Sequence, residues 1–164
     1  MMLDLTNATA EANRDRVAIG VVREPVSHDA EGLAQLMLDA YRGTTDDGGE
    51  TIEDARAEVA KLFAGQYGLL DASASNLVEA DGHVVAATII TRDATKVAPG
   101  EAFLAFSMTA STWKRRGLAR AGLAHAINVL RSRGEPRLHL LVTRENAPAA
   151  KLYRDVGFVT TQSR

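Results

Sequence analysis

Three consecutive cations and a glycine, Lys114-Arg115-Arg116-Gly117, fall where a β-like run ending Ser107-Met108-Thr109 gives way to a helix-like one. The first amides of a helix have no internal acceptor, and the macrodipole places about half a positive charge there, so such an end binds anions. Gly117 lets a phosphate approach the backbone, and the small Ala119 does the same one step later. Lys114, Arg115, Arg116 and Arg120 oppose the dipole unless a polyphosphate neutralises them. The alternative is a solvated basic surface around an ordinary glycine helix start. Neither GxxxxGKS/T nor GxGxxG occurs, so the turn is not a nucleotide loop of those two kinds.

A second group of residues lies in the stretch from Leu141 to Phe158. Asn146 is placed to cap a helix, Pro148 falls in its first turn, and Gly157 stops it. Tyr153 carries a phenol of pKa about 10, protonated at neutral pH and therefore able to donate a proton. The alternative is a partly buried tyrosine whose hydroxyl finds a partner.

Taken together, the two segments resemble one family. Lys114-Arg-Arg-Gly117-Leu-Ala119 is similar to the R/Q-x-x-G-x-G/A acetyl-CoA signature of the GNAT superfamily of N-acetyltransferases. Asn146-Ala-Pro-Ala-Ala-Lys-Leu-Tyr153-Arg-Asp-Val-Gly-Phe158 is similar to that superfamily's NxxAxxLYxxxGF segment. The resemblance covers most of residues 17–163 and implies acetyl-CoA as co-substrate. It puts the pantetheine arm along Ser107, Met108 and Thr109 and the pyrophosphate on the amides from Arg115 through Gly117 and Leu118 to Arg120. It also implies that Asn146 lies near the cofactor arm and that Tyr153 protonates the departing thiolate. Two features depart from the family pattern. Lys114 stands where Arg or Gln is usual, and the chain ends about one strand short of the last hairpin. That leaves a bare sheet edge, an edge covered by a partner subunit in a homodimer, or a truncated chain.

The chain has no cysteine, so an acetyl-cysteine enzyme intermediate is excluded and direct transfer to a bound amine is expected. A carboxylate then has to take the amine's proton, directly or through water. Glu101 is one candidate, since alternation puts it on the face of Phe103, Ala105, Ser107 and Thr109 unless a bulge intervenes. Tyr41, Arg42 and Asp46 begin a loop running to Glu50, where the family commonly builds part of its acceptor pocket. Asp46, Asp47 and Glu50 either attract an ammonium group or form a solvated loop, and Tyr41 with Arg42 could instead recognise a carboxylate.

The elements that must position these residues follow from periodicity. Residues 1–15 lack it and are expected to form a flexible N-terminal tail, leaving 16–164 as one acetyltransferase-like domain. Val17–Val22 reads as a strand. Ser27 or Asp29 caps a helix carrying Leu33, Leu36, Met37 and Ala40, and Thr51 with Asp54 forms a capping box for a second. Residues 66–75 read as connection. Two strands then meet at Asp81-Gly82, a type I′ hairpin signal. Strand 101–109, helix 118–133, strand 138–142, helix 147–156 and the start of a strand at 158–162 complete the order β-α-α-β-β-β-α-β-α-β. The expected fold class is a single α/β domain with a mixed central sheet flanked by helices, the last strand missing.

Composition supports a globular chain: 164 residues, 46% hydrophobic, 24% charged, net charge −2. That balance conceals polarity along the chain. Residues 1–113 carry 8 Lys and Arg against 18 Asp and Glu, and residues 114–164 carry 11 against 3. The scattered histidines show no metal-ligand spacing, so no metal is expected. There is no secretory leader or membrane span, which makes the cytoplasm the expected location. With 5% aromatics and a single basic turn, nucleic-acid binding is not expected. The leading reading is transfer of acetyl to a small-molecule primary amine. The rivals are a non-catalytic acyl-CoA-binding module and a protein or peptide N-acetyltransferase.

Overall fold

A computed structural model describes residues 1–6, 20–95 and 97–161. Its strands are β1 (Met2–Asp4), β2 (Val21–Arg23), β3 (Leu69–Leu70), β4 (Asn76–Ala80), β5 (His83–Arg92), β6 (Ala102–Thr109) and β7 (Arg137–Leu140). Its helices are α1 (Ala30–Tyr41), α2 (Ile52–Phe63), α3 (Leu118–Ser132) and α4 (Ala147–Val156). The sheet order is β1-β7-β6-β5-β4-β2, with β3 on the end of β5. All pairings are antiparallel except β6 with β7, the parallel pair that the β-α-β end of the chain requires.

Local chemistry accounts for the elements. Asp81 and Gly82 both have positive φ, as a type I′ turn demands. Thr51 and Asp54 exchange side-chain-to-backbone bonds at the start of α2. Asn146 accepts from the Ala149 amide, and Gly157, at φ 110°, ends α4 in the left-handed region. Helices α1 and α2 cover one face of the sheet through Leu33, Met37, Val59 and Leu62, which pack with Leu77, Ile89 and Met108. The other face is covered by α3 and α4, through Leu123, Ile127, Leu130, Tyr153 and the Phe158 that follows. Helix α3 lies close because position 122 is glycine: a Cβ there would sit 2.1 Å from Thr88 Oγ1. Asn76 Nδ2 donates to the Gly122 carbonyl at 3.1 Å across the same contact.

Three expectations need correction. The first residues are not a tail: Met2–Asp4 pair with Arg137–His139 of β7, and Leu3 and Leu5 are buried in the α3/α4 core. The sheet edge beside β7 is therefore occupied by the chain's own beginning, and Met2 also bridges Val159 on its outer side. The edge for which the sequence left three alternatives, bare, covered by a partner subunit or lost by truncation, is thus paired within the chain by Met2–Asp4. Second, of the first expected strand Val21 and Val22 fall in β2, which runs on to Arg23, and Gly20 does not; 17–19 lie outside the described residues, as do 7–15 of the expected tail. Third, Leu69–Leu70 within the expected connection form β3. At the other end, among the described residues of the expected last strand, Val159 alone makes a bridge, and 162 is outside them.

Candidate active site

The site begins where β6 and β7 part. Their ladder runs from Ala102 with Leu138 to Leu104 with Leu140 and stops there. Strand β6 continues through Ala105 to Thr109 on its β5 side alone, pairing Ser107 with Thr88, Met108 with Ala87 and Thr109 with Ala86. A register shift opposite Ile89 and Ile90 leaves Ala105 as the extra residue of a β-bulge, which bends the strand at the parting point. Half of the backbone groups from Ala105 to Thr109 thus face an opening instead of a neighbouring strand. An extended chain bearing amides could complete that ladder, as the pantetheine arm of CoA would.

The basic turn lies at the C-terminal end of this strand. Arg115 is left-handed at φ 64°, and Gly117 opens α3 at φ 81°. A Cβ on Gly117 would meet nothing, so its glycine serves backbone conformation and not close packing. The first bond of α3 runs from the Ala121 N–H to the Gly117 carbonyl. The amides of Leu118, Ala119 and Arg120 accordingly have no backbone acceptor among the described residues. That donor set fits a pyrophosphate.

The four cations do not all point there. Lys114 Nζ turns inward and donates to the Ala40 carbonyl near the end of α1 at 2.8 Å. Arg116 lies 4.6 Å from the Trp113 ring centre and donates to the Thr112 carbonyl. Arg120 is 3.7 Å from Asp155. Arg115 is exposed and has no ion-pair partner among the described residues. With Ser111 donating twice to Asp39, Lys114 ties the turn to α1. A structural anchor therefore stands at the first position of the signature.

The tyrosine and the acceptor loop converge on the same opening. Burial raises the Tyr153 pKa, the Ser107 hydroxyl pulls it partly back, and the Asp46 carboxylate raises it further. Burial likewise pushes the Tyr41 phenol well above its ordinary value, with Tyr153 and Asp46 adding to the effect. Both phenols are protonated at neutral pH and lie within electrostatic range of one carboxylate. That carboxylate is held in place: Asn146 Nδ2 donates to Asp46 Oδ2 at 2.7 Å, while Asn146 Oδ1 caps α4. Asp46 Oδ1 has no hydrogen-bond partner among the described residues. Ser107, Asn146, Tyr153, Tyr41 and Asp46 thus form one cluster drawn from β6, α4 and the loop after α1.

Two sequence candidates sit elsewhere or do other work. Glu101 precedes β6 at the end away from the opening. It pairs with Arg137 at 3.2 Å and lies 2.8 Å from His139 Nε2, without the alignment of a hydrogen bond. The bulge at Ala105 breaks the alternation that would have put Glu101 in phase with Ser107. Arg42 donates to the Glu50 carbonyl at 2.9 Å and lies 3.7 Å from Asp47, so it braces its own loop.

Beyond the cluster, a cavity of about 390 Å³ opens between α1, α2 and β6. Its lining includes Tyr41, Asp46, Phe106, Glu50, Asp54 and Glu58. Phe106 and the two α2 carboxylates were not singled out from the sequence. The signal was there for Asp54 and Glu58, four apart on one helix face. Nothing in the sequence alone tied that face to the loop.

A mixed sheet parted at a bulge, with free helix amides at one end and two phenols beside it, is an arrangement that an extended, phosphate-bearing thioester would fit. Residues 32–158 match the acetyltransferase (GNAT) family. The chain belongs to that family of acetyl-CoA-dependent acyltransferases. Among solved structures it is similar to an aminoglycoside N-acetyltransferase in complex with CoA, with 17% identity and TM-score 0.63 over 88% of this chain and 90% of that one. The ribosomal-protein-S18-alanine N-acetyltransferase from Escherichia coli gives 22% identity and TM-score 0.65, covering 87% and 79%. A protein from Pyrococcus horikoshii OT3 gives 15% and 0.71, covering 88% and 91%. No curated protein matches the sequence significantly. At these identities the structural likeness establishes the fold and not the acceptor. Among the described residues no helix is long and apolar enough to cross a membrane, and no cluster suited to a metal ion occurs.

Proposed function

We propose that this protein transfers the acetyl group of acetyl-CoA directly to a primary amine of a small molecule. The observation that carries the reading is the convergence of Tyr153, Tyr41 and the tethered Asp46 at the opening of β6. Acetyl-CoA supplies the activated carbonyl. The unpaired edge of Ala105–Thr109, through Ser107, Met108 and Thr109, aligns the pantetheine arm, and the amides from Arg115 to Arg120 hold the phosphates. Asn146 performs two tasks at once, capping α4 and fixing Asp46.

Asp46 Oδ1 accepts an N–H from the incoming ammonium and takes its proton, directly or through water. Tyr153, kept protonated by burial, gives its proton to the departing thiolate sulfur. Tyr41 narrows the approach and offers a second hydroxyl. Holding the amine and carbonyl in line provides much of the acceleration in such transfers, since orientation alone is worth about 7–11 kcal/mol at best. Release of CoA thiol from acetyl-CoA, followed over a panel of amines, tests the reading. Thiol should appear in proportion to acetylated amine and only when an acceptor is present. Tight CoA binding with no turnover on any amine would make the protein a binding module instead.

A further inference from the structure

In the proposed binding mode acetyl-CoA spans two elements. The edge Ala105–Thr109 belongs to the sheet, and the amides from Leu118 to Arg120 belong to the start of α3. One ligand can use both only if helix and strand keep a fixed separation. The chain between them runs through an irregular turn that contains the left-handed Arg115 and Gly117, so connectivity alone does not set that separation.

A buried polar contact beneath α3 does. Asn76, Thr88 and Ser107 are directly paired across β4, β5 and β6, which places their side chains in one row on one face of the sheet. That face is the one α3 covers, since Asn76 Nδ2 donates to the Gly122 carbonyl at 3.1 Å and a Cβ on Gly122 would overlap Thr88 Oγ1. Asn76 is 4% exposed and Thr88 2%, although the start of α3 packs beside them on the apolar Val78 and Ala86 through Leu118. Apolar side chains alone would hold a helix against a sheet without fixing its position along the axis. A directed bond to one carbonyl fixes that position, and a glycine at the point of contact fixes the depth. Gly122 lies about one turn beyond the free amides of α3. Thr88 is paired with Ser107, in the middle of the free edge of β6. The contact therefore joins the two halves of the site from below.

We infer that Asn76, acting with Thr88 and Gly122, is a positioning residue for the cofactor. It sets the register between the strand that takes the pantetheine arm and the helix end that takes the pyrophosphate. This rests on the proposed placement of those two groups and adds what holds them in register. A linked ligand outbinds its fragments because its second half binds from a high effective concentration, and that advantage is lost when the two half-sites are misaligned. Loosening α3 at Gly122 leaves each half-site formed and spoils only their alignment.

The test measures Kd for acetyl-CoA, acetylpantetheine and ADP with the full chain, in the wild type, Asn76→Leu and Gly122→Ala. Acetylpantetheine carries the arm without the pyrophosphate, and ADP carries a pyrophosphate without the arm. The wild type should bind acetyl-CoA about 100-fold more tightly than either fragment. Both variants should weaken acetyl-CoA by about tenfold and leave each fragment within about twofold, which also shows that both half-sites are folded. Adding Thr88→Ala to Gly122→Ala makes room for the new methyl and should restore most of the acetyl-CoA affinity. Unchanged acetyl-CoA affinity in both variants overturns the inference. So does a parallel loss of all three probes, the result of a merely structural role. A wild type that binds acetyl-CoA no more tightly than acetylpantetheine would refute the phosphate placement and this inference with it. A wild-type advantage that both variants keep leaves that placement standing and refutes the register role alone.

Discussion

Truncating Leu3 or Leu5 should damage the protein as core substitutions do, although both lie within the first six residues. Leu3 is 3% exposed and Leu5 2%, and both pack with Leu138, Leu140, Ile127 and Phe158. Replacing a fully buried leucine with alanine costs about 2–5 kcal/mol, the spread reflecting how far the cavity collapses. Leu3 should fall towards the upper half, because its neighbours are backbone-constrained. It is paired with Leu138 in the ladder, and its Cδ1 lies 3.2 Å from where a Cβ on Gly157 would stand. For a chain of this length 1 kcal/mol corresponds to about 2–4 °C, so Leu3→Ala should lower Tm by roughly 7–20 °C. The assay is thermal unfolding followed by far-UV circular dichroism, with Thr6→Ala, an exposed residue, as the control. Strand β7 is one wall of the opening, so the same variant should raise the KM for acetyl-CoA before it lowers kcat. A Tm within 2 °C of wild type would show that the first residues are not the closing strand of this sheet.

Gly122→Ala should destabilise although alanine is the better helix former: the gain is about 1 kcal/mol, while forcing a Cβ to 2.1 Å from Thr88 Oγ1 costs about 1–3 kcal/mol and strains the Asn76 bond. Denaturant titration checks it, and Thr88→Ala in the same chain should recover much of the loss. Asp71 is buried with Arg92 and Arg133 on its oxygens. Burial raises its pKa, but the Arg133 bond and its companions outweigh that and hold it below the ordinary carboxylate value. The folded pKa being the lower one, its stabilisation is present at neutral pH and lost as pH falls below about 4. Asp71→Asn should therefore cost roughly 2 kcal/mol at pH 7, less than a fully enclosed pair because both arginines keep solvent contact. It should cost progressively less in acid, as acid-titrated unfolding curves of the two proteins would show by converging.

What could be read in the sequence was local. The type I′ turn, the Thr51 capping box, the Asn146 cap and the Gly157 stop each depend on a few adjacent residues, and all appear as expected. The paired segments around Gly117 and Tyr153 were legible for the same reason. Long-range partners were not. Met2-Leu3-Asp4 is too short to show alternation, and its strand forms only because β7, more than 130 residues away, offers an edge. The bulge at Ala105 depends on the pairing of β5 with β6, so Glu101 looked in phase with Ser107 when it is not. Lys114 looked like a phosphate ligand, yet its ammonium reaches the Ala40 carbonyl, a contact invisible without knowing that α1 lies beside the turn. The Asp46–Asn146 bond, which joins loop to helix across 100 residues, turns an ambiguous acidic loop into part of the cluster.

The most direct test of the account is Tyr153→Phe, measured as kcat for CoA thiol release alongside the Kd for acetyl-CoA. The substitution removes only a hydroxyl and keeps the ring, so binding should stay within about twofold while kcat falls about 100-fold, the lower range for loss of a general acid. An unchanged kcat, or a loss confined to binding, would contradict the assignment of the proton to Tyr153 and with it the chemistry proposed for the opening of β6.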